Sequence, residues 1–325
     1  MSHRFASALA CLVLLAAAST PPARAQSPRP TVSFDSAMNT WFSDENGLLT
    51  IDRNVVAFVP DGPLNMAVAV VDASGTVVDS HTYFPDMNRD GVFGTAKAKG
   101  PAQVQLTEPG VYSIVWVING EPATRFPVAL KQTGAGDDPF NPQKTYAYDG
   151  LWRTHGYWTL HKTGNDDPTP EFHYWVGGLD VPEDRRSDMF FAELIRDGQV
   201  VAHSKRTLGH LPPGRWTYDN LTLYHPHEKK DTPYAKLWTQ ADLLTDGKHE
   251  LRFTRNSDGQ MIRSYDYVVA DGKIVPLPET ALDYEPRIDH LLPRVQRRGG
   301  NNFEMIEAYW IKDGGPGTAK HSSQP

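Results

Sequence analysis

Short apolar runs rich in Val, Ile, Tyr, Phe and Trp, cut every few residues by Gly, Pro, Asn or Asp, fill almost the whole chain. That patterning suits strands burying one face, and no long stretch repeats its apolar residues at the helical spacing. The expected fold class is therefore all-β. In the first half the runs predict strands near 48–52, 55–59, 65–71, 76–80, 103–106, 111–118 and 124–130. Between the last two, Asn119-Gly120 is a hairpin signal, because both residues tolerate the positive φ of a type I′ turn. Short strands at this spacing predict an immunoglobulin-like sandwich.

The pattern breaks at "KQTGAGDDPFNPQK", residues 131–144, which Gly, Pro and acids mark as a boundary. Beyond it the same phrases return. "VAVVDASGTVVDS", ending at Ser80, is answered by "FAELIRDGQVVAHS", ending at Ser204; each has a Gly turn, at Gly75 or Gly198, and then Val-Val. "EPGVYSIVWVINGEPATRFPVAL" is answered by "TDGKHELRFTRNSDGQMIRSYDYVV", with Gly110 and Gly120 against Gly247 and Gly259. These echoes predict two immunoglobulin-like β-sandwich domains in tandem, related by internal duplication. The expected division is a signal peptide at 1–25, a first sandwich at 26–131, a linker at 132–145 and a second sandwich at 146–278. An irregular C-terminal extension at 279–325 would hold one further strand or short helix.

The first residues combine an early Arg4, an apolar run from Leu9 to Ala18 and a small-residue site at Ala23-Arg24-Ala25. This reads as a secretory signal cut before Gln26, so the mature protein is expected in the periplasm or outside the cell. Cys11, the single cysteine, lies inside that segment. The mature chain then has no disulfide, thiol nucleophile or thiolate metal site, and its stability must come from a hydrophobic core. Removal of the signal takes Arg4 and Arg24 and no acid, moving the net charge from −7 to −9. An acidic surface disfavours nucleic acid, and no later run is long enough to span a bilayer.

"DMNRDG", residues 86–91, has the acid-x-amide-x-acid-Gly spacing of a calcium loop. Asp86, Asn88 and Asp90 would supply side-chain oxygens and Val92 its carbonyl. The stretch resembles the calcium loops of dockerins and EF-hands over these residues only, because the position of their closing glutamate is Lys97 here. Weak structural calcium binding is one expectation; a polar turn is the other. His225 and His227 flank Pro226, two apart on an extended segment, and could face a transition metal together. Glu228, Lys229 and Lys230 follow at once and suit a solvated loop equally.

The second half is dense in aromatics, and Trp152, Trp158 and Trp216 sit in turn-rich phrases where an exposed ring could stack on a sugar. Trp175 and Trp238, with apolar neighbours, are assigned to the core. No G-x-S-x-G elbow, H-E-x-x-H pair or phosphate loop occurs. The leading expectation is an exported, non-catalytic binding protein for a glycan or another exported protein. The alternatives are a metal-assisted hydrolase with its site in the 208–236 insertion, and an assembly subunit that pairs through an edge strand, with "NNFEMIEAYWIK" docking on a partner sheet.

Overall fold

The computed structural model describes residues 30–32, 42–43, 47–51, 54–59, 62–90, 93–100, 102–132, 144–160, 169–177, 190–205, 216–226, 236–277, 294–298, 302–306 and 308–313. These residues are predominantly strand, and every strand pair is antiparallel. The largest sheet orders eight strands as β1 (Thr31–Val32), β4 (Asn54–Phe58), β7 (Phe93–Ala98), β6 (Val77–Asp90), β5 (Met66–Asp72), β9 (Gly110–Ile118), β10 (Glu121–Gln132) and β11 (Tyr146–Gly150). A three-stranded sheet of β2 (Phe42–Ser43), β3 (Leu48–Ile51) and β8 (Ala102–Gln105) shares its core. All seven strands expected in the first half are present. Asn119 and Gly120 take φ of 54° and 88° in the β9–β10 turn, the positive pair that the dipeptide promised.

A four-stranded sheet follows, ordered β16 (Trp216–Leu221), β13 (Pro170–Gly177), β12 (His155–Leu160), β23 (Ala308–Lys312). A six-stranded sheet runs β17 (Leu223–Tyr224), β15 (Gln199–Ser204), β14 (Phe190–Arg196), β18 (Gly247–Arg255), β19 (Met261–Ala270), β20 (Lys273–Ile274). A separate hairpin joins β21 (Arg294–Arg298) to β22 (Asn302–Ile306). Single helical turns stand at Leu151–Thr154 and Gln240–Leu243.

The two middle strands of the four-stranded sheet are largely buried on both faces, and every residue of β12 is buried. Tyr157, Trp175 and Trp310 point into the core of the eight-stranded sheet. Their neighbours Trp158, Tyr174 and Ile311 point the other way, into the core of the six-stranded sheet. Strand alternation therefore sends adjacent side chains of one sheet into two different cores. Burying side chains of this size contributes about 1.5–3 kcal/mol each, so this sheet gains from both directions. His173 is accommodated on the first of these faces. Its Nε2 lies 2.8 Å from the Thr159 hydroxyl, its Nδ1 meets the Tyr218 hydroxyl, and its ring stacks 4.5 Å from that of Tyr157.

The two halves are joined in a second way. β11, in the stretch expected to open the second half, hydrogen-bonds to β10 of the first. The segment expected to dock on a partner sheet also stays within the chain: β23 is the edge strand beside β12. A buried ion pair, Arg263 to Asp313 at 3.4 Å, fixes the end of β23, and Arg263 also donates to the Arg153 carbonyl at 2.6 Å.

Both large sheets repeat one order of four strands: β6-β5-β9-β10 in the first half and β15-β14-β18-β19 in the second. Their registers agree as well. Val70 pairs with Asp79 and with Ile114; Leu194 pairs with Ala202 and with Leu251. Each hairpin slips at the same place. The ladder shifts after Val70 and after Leu194, where the return strands carry Val77-Val78 and Val200-Val201. A second shift falls beside Trp116 in one half and beside Phe253 in the other.

Candidate functional site

Alternation along the six-stranded sheet sends Ala192, Leu194, Leu251, Phe253, Tyr265 and Tyr267 into its core and turns their neighbours outward. On that outer face the pairings Tyr224 with His203, His203 with Glu193, Glu193 with Arg252 and Arg252 with Ser264 compose one cross-strand row. Directly paired residues hold their Cβ atoms roughly 4.5–5.5 Å apart on the same face. Five side chains spread over 72 residues of sequence are thereby brought together.

Arg252 grips Glu250 with two hydrogen bonds of 2.8 Å, and the Ser264 hydroxyl donates to the same carboxylate at 3.0 Å. The Arg252 bonds, the largest influence, hold the Glu250 carboxyl below its ordinary pKa, while Glu250 raises that of Arg252. Asp266, across the ladder from Glu250, is pushed up by its own burial and then by the Glu250 charge. At the other end Lys205 places its ammonium 4.6 Å from the centre of the Tyr224 ring. His203, only 5% exposed, has Nδ1 3.2 Å from the Ser204 carbonyl. A carbonyl only accepts, so Nδ1 is assigned the proton and Nε2 is left as an acceptor. That Nε2 is buried and has no hydrogen-bond partner among the described residues.

The row lies beside the 208–236 insertion, of which residues 216–226 and 236 are described. His225 is tied into the structure around the second helical turn. Its Nε2 is 3.5 Å from an Asp242 oxygen, and its ring lies 4.9 Å from that of Trp238. Asp242 also closes a capping box, accepting from the Thr239 backbone N–H and hydroxyl at 3.0 and 2.7 Å. Partial burial pushes the Asp242 carboxyl up, but the Thr239 bonds together with His225 and Lys236 outweigh it and hold the pKa below the usual value.

The expected site residues fare differently. Trp152 and Trp158 are 1% and 0% exposed and belong to the two cores, so neither offers a face to a sugar; the exposed platform expected there is not met. Trp175 and Trp238 are buried as assigned. Trp216 begins β16, and its side chain lies outside the described residues. Asp86, Asn88 and Asp90 lie on the backbone of β6, which pairs with β7 and shifts register between Pro85 and Arg89. Their side chains, with Gly91, Val92 and His227, lie outside the described residues. Among the described residues no three His, Cys, Asp or Glu side chains are grouped to hold a metal ion.

Glu193, Glu250, Arg252 and Ser264 were not singled out by sequence reasoning, because each stands alone in a strand phrase. The one signal was alternation, which marks a residue as outward without saying what lies beside it. No protein-family model and no curated protein matches this chain.

Proposed function

We propose that this is an exported, non-catalytic binding protein for a glycan or another exported protein, with the outer face of the six-stranded sheet as its binding surface. The observation that carries this reading is His203, whose buried ring nitrogen lacks a partner among the described residues and lies in a row of polar side chains. A buried acceptor left without a donor costs about 1–3 kcal/mol. A ligand donor that displaced what covers this nitrogen would recover that cost, and Glu193, Lys205 and Arg252 add acceptors and donors beside it. The metal-assisted hydrolase is less well supported, because among the described residues no further His, Cys, Asp or Glu side chains are grouped with His225 to hold a metal ion.

The same reading takes the two halves as duplicated immunoglobulin-like sandwiches; the matching strand orders and the coinciding register shifts support it. It also keeps calcium as a weak clamp at the β6–β7 hairpin. Millimolar calcium is expected to raise the melting temperature of the wild type and not that of Asp86→Ala or Asp90→Ala; an equal shift in all three removes the clamp.

Screening of the mature chain against glycans and exported proteins tests the central claim. A ligand found in this way is expected to bind about tenfold more weakly to His203→Ser and to Glu193→Ala, roughly 1.4 kcal/mol. Unchanged affinity in both variants moves the site elsewhere. Cell fractionation is expected to recover a chain beginning at Gln26 outside the cytoplasm, and an unprocessed cytoplasmic chain defeats the export reading.

A further inference from the structure

The coinciding registers let each half serve as a control for the other. The row His203–Glu193–Arg252–Ser264 has Ser80–Ala69–Val115–Arg125 at the same ladder positions in the first half. Outward residues on the second sheet include Lys248, Glu250 and Asp266, as expected of an antiparallel sheet with one wet face. Their counterparts on the first sheet are Val111, Ser113 and Pro127. Ala67, Ala69, Val71, Val115 and Val117 continue this apolar face through the middle strands, and Val77 and Val111 stand out from it 48% and 58% exposed. The second half shows that the fold accepts charges at these positions, so the apolar residues of the first are not a requirement of folding.

We propose that the outer face of the eight-stranded sheet is an interface with a second copy of this chain, packed sheet on sheet about a two-fold axis. Flat faces of small residues are self-complementary, and sheets stack at about 10 Å. From β4 to β10 the face covers roughly 29 by 20 Å at standard strand spacing and rise. That is roughly 580 Å² in plan, below the ~800 Å² per partner of a standard interface and in the range of a weak one. Its described charged side chains lie toward its sides, Lys97 on β7 and Arg125 on β10, while the outward residues of β6, β5 and β9 between them carry none. Arg125 is hydrogen-bonded to Ser113 at 3.1 Å, and at the rim Lys131 pairs with Asp149 at 3.0 Å.

Analytical ultracentrifugation of the mature chain, from micromolar to near-millimolar loading, tests this. The wild type is expected to be a dimer. The double variant Ala69→Glu with Val115→Arg copies the paired Glu193 and Arg252 of the second half, so it is expected to fold with an unchanged melting temperature and to sediment as a monomer. Should that variant fail to fold, Val111→Lys, which copies Lys248 at an open position, is expected to weaken the dimer at least tenfold. A wild type that is monomeric throughout the range overturns the proposal and leaves the face to a different protein. A dimer unaffected by substitutions that fold places the contact elsewhere and overturns it equally.

Discussion

His249 illustrates what one buried side chain does to the pH dependence of the whole. It is stacked 4.9 Å from Tyr267, and its Nε2 lies 2.9 Å from the Thr245 carbonyl. Burial, the dominant influence, pulls its pKa below the ordinary value despite that hydrogen bond. The unfolded chain therefore takes up the proton first, near pH 6.5. Stability from this residue is complete above that value and is lost as the pH falls toward the depressed folded pKa. His249→Phe, which removes the titration, is expected to flatten the fall of melting temperature between about pH 7 and pH 5. An identical slope in the variant refutes this. Gly156 makes a different residue-scale point, because a Cβ there would stand 2.4 Å from the Phe172 ring and 2.9 Å from the His173 carbonyl. Gly156→Ala is expected to cost about 1–3 kcal/mol in urea denaturation, as overpacking does; a neutral result would show that the sheet can yield. Neither residue stands out in the sequence. The local spacing that marks an outward strand position says nothing about which distant strand lies beside it, and for that reason Glu193 was not legible at all.

At the scale of elements, local chemistry was the readable part. Hairpins were recovered because their information lies within a few residues: Asn119-Gly120 adopts its two positive φ angles, and Gly75 and Gly198 turn with φ of 87° and 82°. β7 went unseen, because "FGTAKA" lacks the β-branched density of its neighbours. The role of β23 was hidden for another reason. Its partner β12 is about 150 residues upstream, and nothing in "AYWIK" names it. The structure makes β23 a wedge for both cores, with Trp310 entering one and Ile311 the other. Trp310→Ala is expected to cost about 3–5 kcal/mol, measured as a drop in the urea midpoint with little change in slope. A cost below about 1 kcal/mol would mean that β23 rests on the sheet without filling its core.

For the whole molecule, the consequence of middle strands buried on both faces is cooperativity. Two sandwiches strung on a linker would melt separately, each with its own core. Here Tyr157 and Trp158 are consecutive on one strand and belong to different cores, so neither core can open without unseating the wall of the other. The first half should therefore report damage done in the second and the reverse. Trp116, fully buried and 5.1 Å from Tyr83, lies in the first core, far along the chain from the six-stranded sheet. Trp116→Ala is expected to remove about 3–5 kcal/mol from the first core. Hydrogen exchange read by mass spectrometry should then show protection of β14 and β18 falling by a similar amount to that of β5 and β9, with calorimetry giving a single transition. Undiminished protection in β14 and β18 would mean that the shared sheet holds firm when one of its cores is lost. The halves would then be two units that meet at the shared sheet without melting together.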